Sequence, residues 1–561
     1  MKKILSLLLA ALMLFSLTAC NDKPVDNDTP PTTTITLPNV DNVLQLDSMT
    51  QGTCNVEGAI VQLTEYDMRV NGEPMTQDDT QAVYRSFDMV YYEAGKDETY
   101  GAGTEADEHT ADEMAAYTVV NITKPVTYIL TGFMSKGQVR IDLGETAKSD
   151  PNAVVTLYLN GMRIENSAAP CIIFQNVYEC HPGETTKDVD TSAAGANVYI
   201  CDGSVNILNG SYVAEIYDPE TVVIENDEVV SAETLYEYDG AFYSRMSMNI
   251  GGGEGYLTVN AQNEGICTEK HLTITGGTIY INAGNDGINT NEDGVSVTTI
   301  NGGNLYITCT GKTGEGDGID SNGWIVINDG HVLSQACAIS GDAGIDADNG
   351  IHLNGGFICA TGNMLDAIAE SEQNYAVFQF MEKQPAGEYA LVRGNTVAVA
   401  GTVQNEFTYL VLSSEVLTAG EYNLTYNDEI LRVIKQDAVQ IPGIDFNKPG
   451  MMPDIMVPGK PVTPPGDLTP PEGDVEIPPQ PSKPLQETAG AEGNNPDAPP
   501  EKPEGDQPTP PESDKQPPDD FQKPGHDFNA KDASETVVIT DGANYFIVIS
   551  DVMPKEPTGD N

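Results

Sequence analysis

Between Gly251 and Glu370 the chain places fifteen Asp or Glu residues against two cations, Lys270 and Lys312. The acids attach to a recurring phrase: Glu264-Gly265-Ile266, Asp286-Gly287-Ile288, Asp317-Gly318-Ile319, Ala343-Gly344-Ile345 and Asp366-Ala367-Ile368. Aligned on the Ile, the residue before the Gly reads Glu264, Asp286, Asp317, Ala343, Asp366. The residue after the Ile reads Cys267, Asn289, Asp320, Asp346, Ala369, and three after the Ile come Glu269, Asn291, Asn322, Asp348, Ser371. If the phrases stack as neighbouring strands about 4.8 Å apart, each column becomes a row of side-chain oxygens. Like charges at that spacing repel by roughly 1 kcal/mol in water and by several times that near a protein surface. A hard divalent cation relieves the repulsion, and calcium takes about six to eight oxygen ligands of this kind. The candidate calcium ligands are Asp286, Asp317, Asp320, Asp342, Asp346, Asp348, Asp366, Glu269, Asn289, Asn291 and Asn322. A solvated acidic ridge with screened charges is the competing reading. The repeats match neither the nine-residue calcium roll nor an EF-hand loop.

Other chemistries ask more of the same residues. A glycosidase needs two carboxylates across a bond, and here so many acids are present that no pair stands out. A lyase acting on uronate polymers needs a strong base beside calcium, and the repeat offers only Lys270 and Lys312. No catalytic residue is assigned on these grounds. Sugar binding asks for aromatic faces, and Tyr280 and Tyr306 sit at the same offset in successive repeats, with Trp324 in the next. These three are the candidate carbohydrate-binding residues, with cross-strand aromatic packing as the alternative role. The net charge of −58 excludes a phosphate-neutralising surface and hence nucleic acid as a partner.

The elements that must position these residues follow from the period. The phrase recurs at steps of 22, 31, 26 and 23 residues, and a Gly-Gly or Asp-Gly turn at 276–277, 302–303, 329–330 and 355–356 runs between them. Two interleaved landmarks on one period indicate stacked coils that bury a shared apolar face. Each coil offers three strand-like pieces, with Ile279 and Ile281, then Leu305 and Ile307, facing inward. The expected fold is all-β: a right-handed parallel β-helix over 41–370, a β-rich capping module over 371–440, and a long disordered Pro-rich linker over 441–533. The stretch 442–524 holds 23 of the 36 prolines. A C-terminal β-hairpin is expected over 534–553, docked back onto the folded part. An acidic insertion over 212–239 reads as a loop off one corner.

Residues 1–20 read as a lipoprotein signal: Lys2 and Lys3, an apolar run too short to span a bilayer, and Leu17-Thr18-Ala19-Cys20. Cleavage would leave Cys20 as the lipidated N-terminus, followed by a spacer over 21–40. The expected location is the extracellular face of the cell membrane, with the lipid as the only membrane contact. Of the eight remaining cysteines, Cys309, Cys337 and Cys359 fall in strand-like runs and read as small buried thiols; no CxxC pair marks a zinc site.

The runs "LTITGGTIYINAGNDGINT", "GEGDGIDSNGWIVINDG" and "GIDADNGIHLNGGFICATGN" resemble the calcium-binding carbohydrate-binding domain family of pectate-lyase-like β-helix fold. The likeness extends back through "VTYILTGFMSKGQVRI" and "VTLYLNGMRIENSAAPCIIF" and forward over 375–426. It implies non-catalytic, calcium-dependent binding of a plant cell-wall polysaccharide such as cellulose or pectin. Relatives often carry Lys after the phrase where this chain has Cys267, Asn289 and Asp320. A calcium-dependent polysaccharide lyase and a structural adhesin without a glycan ligand are the alternatives.

Overall fold

The computed structural model describes residues 48–183, 185–226, 228–369, 371–436 and 533–549. The signal segment with Cys20, the spacer and almost all of the Pro-rich linker lie outside the described residues. The described residues are all-β, with 53% strand and 3% helix. Among the described residues no helix is long and apolar enough to cross a membrane.

The first three acidic phrases lead into strands of an eight-stranded sheet. It runs through Gly137–Asp142, Ile172–Asn176, Gly240–Ser244, Glu264–Thr268, Ile288–Thr290 and Ile319–Ser321, all parallel. Phe242, Ile266, Ile288 and Ile319 stand in register, and a further bridge from Ile319 to Ile345 carries the column on. These side chains are buried in the main apolar core. The phrase is its own connector: Gly265 N donates to Asp286 O at 2.9 Å, Gly287 N to Asp317 O at 3.0 Å, and Gly318 N to Ala343 O at 3.0 Å.

The large sheet corrects the expected right-handed parallel β-helix. Val155–Glu165 pairs with both Ala196–Ile200 and Val205–Gly210. One path then runs through Met248–Gly252 and Leu272–Ile274, the other through Tyr256–Ala261 and Thr278–Ala283, and both end on Val297–Cys309. The sheet thus closes as an eight-strand parallel barrel. The physical reason lies in the Gly-Gly segments. Read as turns, they would separate two strands each, as they do at 276–277 and 355–356; but Val297–Cys309 runs through Gly302-Gly303 and Trp324–Gln335 through Asp329-Gly330 as continuous strands. Gly303 takes φ of 88° and Gly330 of 101°, so each bends its strand without ending it.

Beyond the repeat, Phe407–Ser414 pairs antiparallel with both Phe357–Gly362 and Tyr375–Gln384. A five-stranded sheet including Gly387–Arg393, Thr396–Val403 and Gly420–Tyr426 covers a second core built on Phe378, Tyr389, Phe407 and Leu424. The expected C-terminal hairpin does not form. Val537–Ile539 pairs with Gly420–Tyr426, whereas Ala543–Ile549 pairs parallel with Tyr375–Gln384 and antiparallel with Arg432–Gln436. Each strand finds an unpaired neighbour in the module, which stabilises it more than a lone hairpin would. The acidic insertion is itself a ribbon, Val213–Tyr217 against Thr234–Tyr238 and Val223–Glu225 against Glu228–Ser231. Cys54 and Cys201 form a disulfide, and Cys309, Cys337 and Cys359 are free and buried.

The glycine of the phrase is required by close approach. A Cβ on Gly287 would lie 2.2 Å from Ile307 Cγ2 and 2.6 Å from the Gly318 carbonyl oxygen of the next coil. We expect Gly287→Ala to destabilise the protein by about 1–3 kcal/mol through overpacking, read as a lowered urea midpoint; an unchanged midpoint would contradict the coil spacing described above.

Candidate functional site

Parallel pairing delivers the columns in the register expected from the alignment. Tyr243, Cys267, Asn289 and Asp320 are successive partners along the eight-stranded sheet. The Ile319 to Ile345 bridge brings Asp346 next to Asp320. A second row, Asp286 and Asp317, faces the same edge. Asp286 Oδ1 accepts from Asp317 N at 2.7 Å and Asp317 Oδ1 from Ala343 N at 2.5 Å. Each of these aspartates ties one carboxylate oxygen to the coil that follows.

Burial without nearby cations dominates the electrostatics. It pushes the Asp317 carboxyl from 3.8 up to about 9, only partly opposed by the Ala343 N–H. Burial also lifts Asp320 to about 7, helped by the negative charge of Asp286. Asp346 rises to about 7 through burial and its neighbour Asp366, and Asp286 to about 6 through burial. Lys270, at the rim, is engaged by Glu292.

The amides show where oxygens remain unserved. Asn291 Oδ1 and Asn289 Oδ1 are buried without a hydrogen-bond donor. The Asn289 amide instead donates to Glu264 Oε1 at 2.9 Å. A donor set of carboxylates and amide oxygens, crowded and short of donors, fits a hard divalent cation such as calcium.

The other predicted ligands are near this group and partly engaged by protein donors. Asp342 Oδ2 is taken up locally by Ser340, by Gly316 N at 2.5 Å and by Cys337. Glu269 Oε1 accepts from Tyr243 at 2.8 Å and Asn291 at 3.4 Å. Asn322 donates to the Asn291 carbonyl at 2.8 Å and to Asp293 at 2.9 Å, and Asp348 is exposed. Asp366 Oδ2 accepts from Ala347 N at 3.1 Å, beside Asp346.

The aromatic residues are distributed differently from the expectation. Tyr280 and Tyr306 do stack, at 5.0 Å between ring centroids. Tyr280 is only 6% exposed, and Tyr306 packs against the core of the C-terminal module. Their rings therefore serve packing. Trp324 is not brought to them: it pairs with Val297 and Gly350 on the other path of the large sheet. On that path a second pair was missed, Tyr158 against Tyr199, with centroids 5.3 Å apart and planes 18° from parallel. Tyr199 is 40% exposed. In the next coil the position holds Gly251, whose missing side chain leaves the ring edge uncrowded. The detectable signal was the strict alternation in "VTLYLN" and "NVYI", which puts both tyrosines outward.

A family model described as "Carbohydrate-binding domain-containing protein" matches residues 117–403, just over half of the chain. A curated relative, a carbohydrate-binding domain-containing protein of Acetivibrio thermocellus, is 30% identical over 182 residues, which is 32% of this chain and 51% of the relative. The chain thus spans about half the length of that relative. The solved structure of a polysaccharide lyase-like protein from C. thermocellum, a gadolinium derivative, covers 56% of this chain and 90% of its own, at 20% identity and a TM-score of 0.29.

The raised carboxyls make a signed prediction for metal-free protein. A carboxyl whose folded value exceeds its unfolded one binds more protons when folded. Its penalty is absent below about pH 4 and grows as pH rises toward the folded value. With Asp317 near 9 and Asp320 and Asp346 near 7, chelator-treated protein should lose stability steadily between about pH 4 and pH 9. Asp317→Asn keeps the acceptor for Ala343 N and removes the charge. At pH 8 it should raise metal-free stability by on the order of a few kcal/mol, measured by thermal melting across pH. A flat profile in the parent would contradict the burial argument.

Proposed function

The chain belongs to the family of carbohydrate-binding domain-containing proteins, and from that premise we propose that it binds a plant cell-wall-type polysaccharide without cleaving it, with calcium held along the acidic edge. The observation that carries the calcium half is the pairing of buried, donor-poor oxygens with aligned carboxylates. Asp286, Asp317, Asp320, Asp346 and Asp366 would hold the ion or ions, and Asn289 and Asn291 would contribute amide oxygens. Bound cations would offset the mutual repulsion that now favours the protonated acids. The sugar half rests on the family and on the exposed Tyr199 face, which offers a flat apolar surface to a pyranose ring. The setting we propose is the outer face of a cell membrane, through lipid on Cys20.

Two measurements test this reading. Calcium should raise the melting temperature of chelator-treated protein, since a ligand bound only to the folded state stabilises it, by about 2.7 kcal/mol at a hundredfold excess over Kd. Asp320→Asn should diminish that response, and the same melting curve with and without calcium would remove the metal from the proposal. In pull-down or affinity electrophoresis on cellulose and polygalacturonate, Tyr199→Ala should weaken retention several-fold, as expected for about 0.5–1.5 kcal/mol of lost ring contact. Unsaturated products absorbing in the ultraviolet, formed from polygalacturonate with calcium, would replace binding by lyase activity.

A further inference from the structure

One step along the acidic edge the donor set changes character. Asp239, Glu264 and Cys267 each offer a ligand atom, and these atoms all lie within 4.8 Å of one another. Cys267 occupies the position that the following coils fill with Asn289, Asp320 and Asp346, so sulfur stands where the rest of the column has oxygen or amide.

Glu264 supplies the independent observation. It is 6% exposed, its Oε1 accepts from Asn289 at 2.9 Å, and its Oε2 is buried without any donor. A buried carboxylate oxygen left unserved is costly, and this carboxylate faces both the Cys267 sulfur and the Asp239 carboxylate. Asn289 Oδ1, on the next coil, is also buried without a donor.

The backbone holds the three residues together. A Cβ on Gly240 would sit 2.6 Å from Cys267 Cβ, so the absent side chain lets the strand from the insertion close over the thiol. Gly240 opens the strand Gly240–Ser244, which pairs parallel with Glu264–Thr268, and the Asp239 carbonyl just before it accepts from Glu264 N and from Asn263 Nδ2, both at 3.2 Å. Asp239 itself is partly exposed, at the mouth of the cluster, whereas Glu264 and Cys267 are buried.

We propose that Asp239, Glu264 and Cys267 form a divalent-cation site of their own, selective for a thiophilic ion of the zinc class and separate from the oxygen-only calcium edge. Two carboxylate oxygens and one thiolate make three ligands, and a water completes a tetrahedron. Sulfur selects zinc-class ions over calcium, whose ligands are oxygens. The cysteines here lack CxxC spacing because the ligands come from two coils and an insertion, not from one loop. On binding, the thiol proton passes to bulk water and a metal–sulfur bond forms, with no change in oxidation state.

Cobalt(II), a spectroscopic substitute for zinc, tests this on the full chain. The parent should bind Co2+ with sulfur-to-metal absorption in the near ultraviolet, displaced by Zn2+ and unmoved by excess Ca2+. Cys267→Ser should abolish the absorption, Glu264→Gln should weaken Co2+ binding by about 10–100-fold, and Cys180→Ser should leave both intact. Absence of the band in the parent, its persistence in Cys267→Ser, or its loss on adding Ca2+ would overturn the site. Should Cys267→Ser fail to fold, Asp239→Asn at the partly exposed mouth decides: Co2+ affinity equal to that of the parent would also overturn it.

Discussion

The hydrogen bonds between successive Asp-Gly-Ile phrases are the constraint on which the rest depends. They run from Gly265 to Asp286, from Gly287 to Asp317 and from Gly318 to Ala343, and they fix the register of every residue on that edge. Once the backbone pairs in parallel, equivalent side chains must lie one strand spacing apart, about 4.8 Å. Asp320 and Asp346 cannot separate without breaking the ladder that aligns them. Each backbone bond contributes roughly 0.5–1.5 kcal/mol, and several of them together with the buried isoleucine column outweigh the repulsion of any one pair. The carboxylates are thus held in place by interactions that do not involve their charge.

That arrangement divides the acids by use. Asp286 and Asp317 each give an oxygen to an N–H of the next coil, so they serve the ladder as well as the edge. Asp342 takes three donors, from Ser340, Gly316 and Cys337, on its Oδ2 alone. Asp320 and Asp346 lie between these extremes, half-buried and in register. A cation at this edge would change the sign of the local field. The same burial that now favours protonation would then strengthen the bond to the metal.

How much of this was legible in the sequence depended on how far apart the deciding residues lie. The column of Ile266, Ile288, Ile319 and Ile345, with the residues beside it, follows from a period short enough to align by eye. Two of the four turn segments, at 302–303 and 329–330, misled because a glycine with positive φ can bend a strand as readily as end it, and only pairing partners on both sides distinguish the two. Tyr280 and Tyr306 looked outward and are outward from their own sheet. What covers Tyr306 is the core of Phe378, Phe407 and Leu410, supplied from residues far along the chain. Asp239 escaped notice for a similar reason, since it follows the insertion ribbon and carries no phrase. The Cys54–Cys201 bridge joins residues separated by 147 positions, with no spacing pattern to reveal it.

The position of the edge within the stack matters as much as its composition. At one end of the eight-stranded sheet Val83–Ser86 turns antiparallel against Thr118–Ile122. At the far end of the large sheet Phe407–Ser414 lies antiparallel on Phe357–Gly362. Antiparallel strands at the ends stop the parallel pairing from propagating to another chain, which unprotected edges would invite. The column from Cys267 to Asp320 therefore sits where paired strands are present on both sides. Rigid support of this kind is what a metal site needs, because its ligands must be preorganised on elements that do not yield. A polymer lying along the stack would meet the exposed ring of Tyr199 on a different sheet from the acidic edge. Sugar contact and ion binding would then draw on separate surfaces of one scaffold, and the ions would act on the polymer through the stability of the strands that present both.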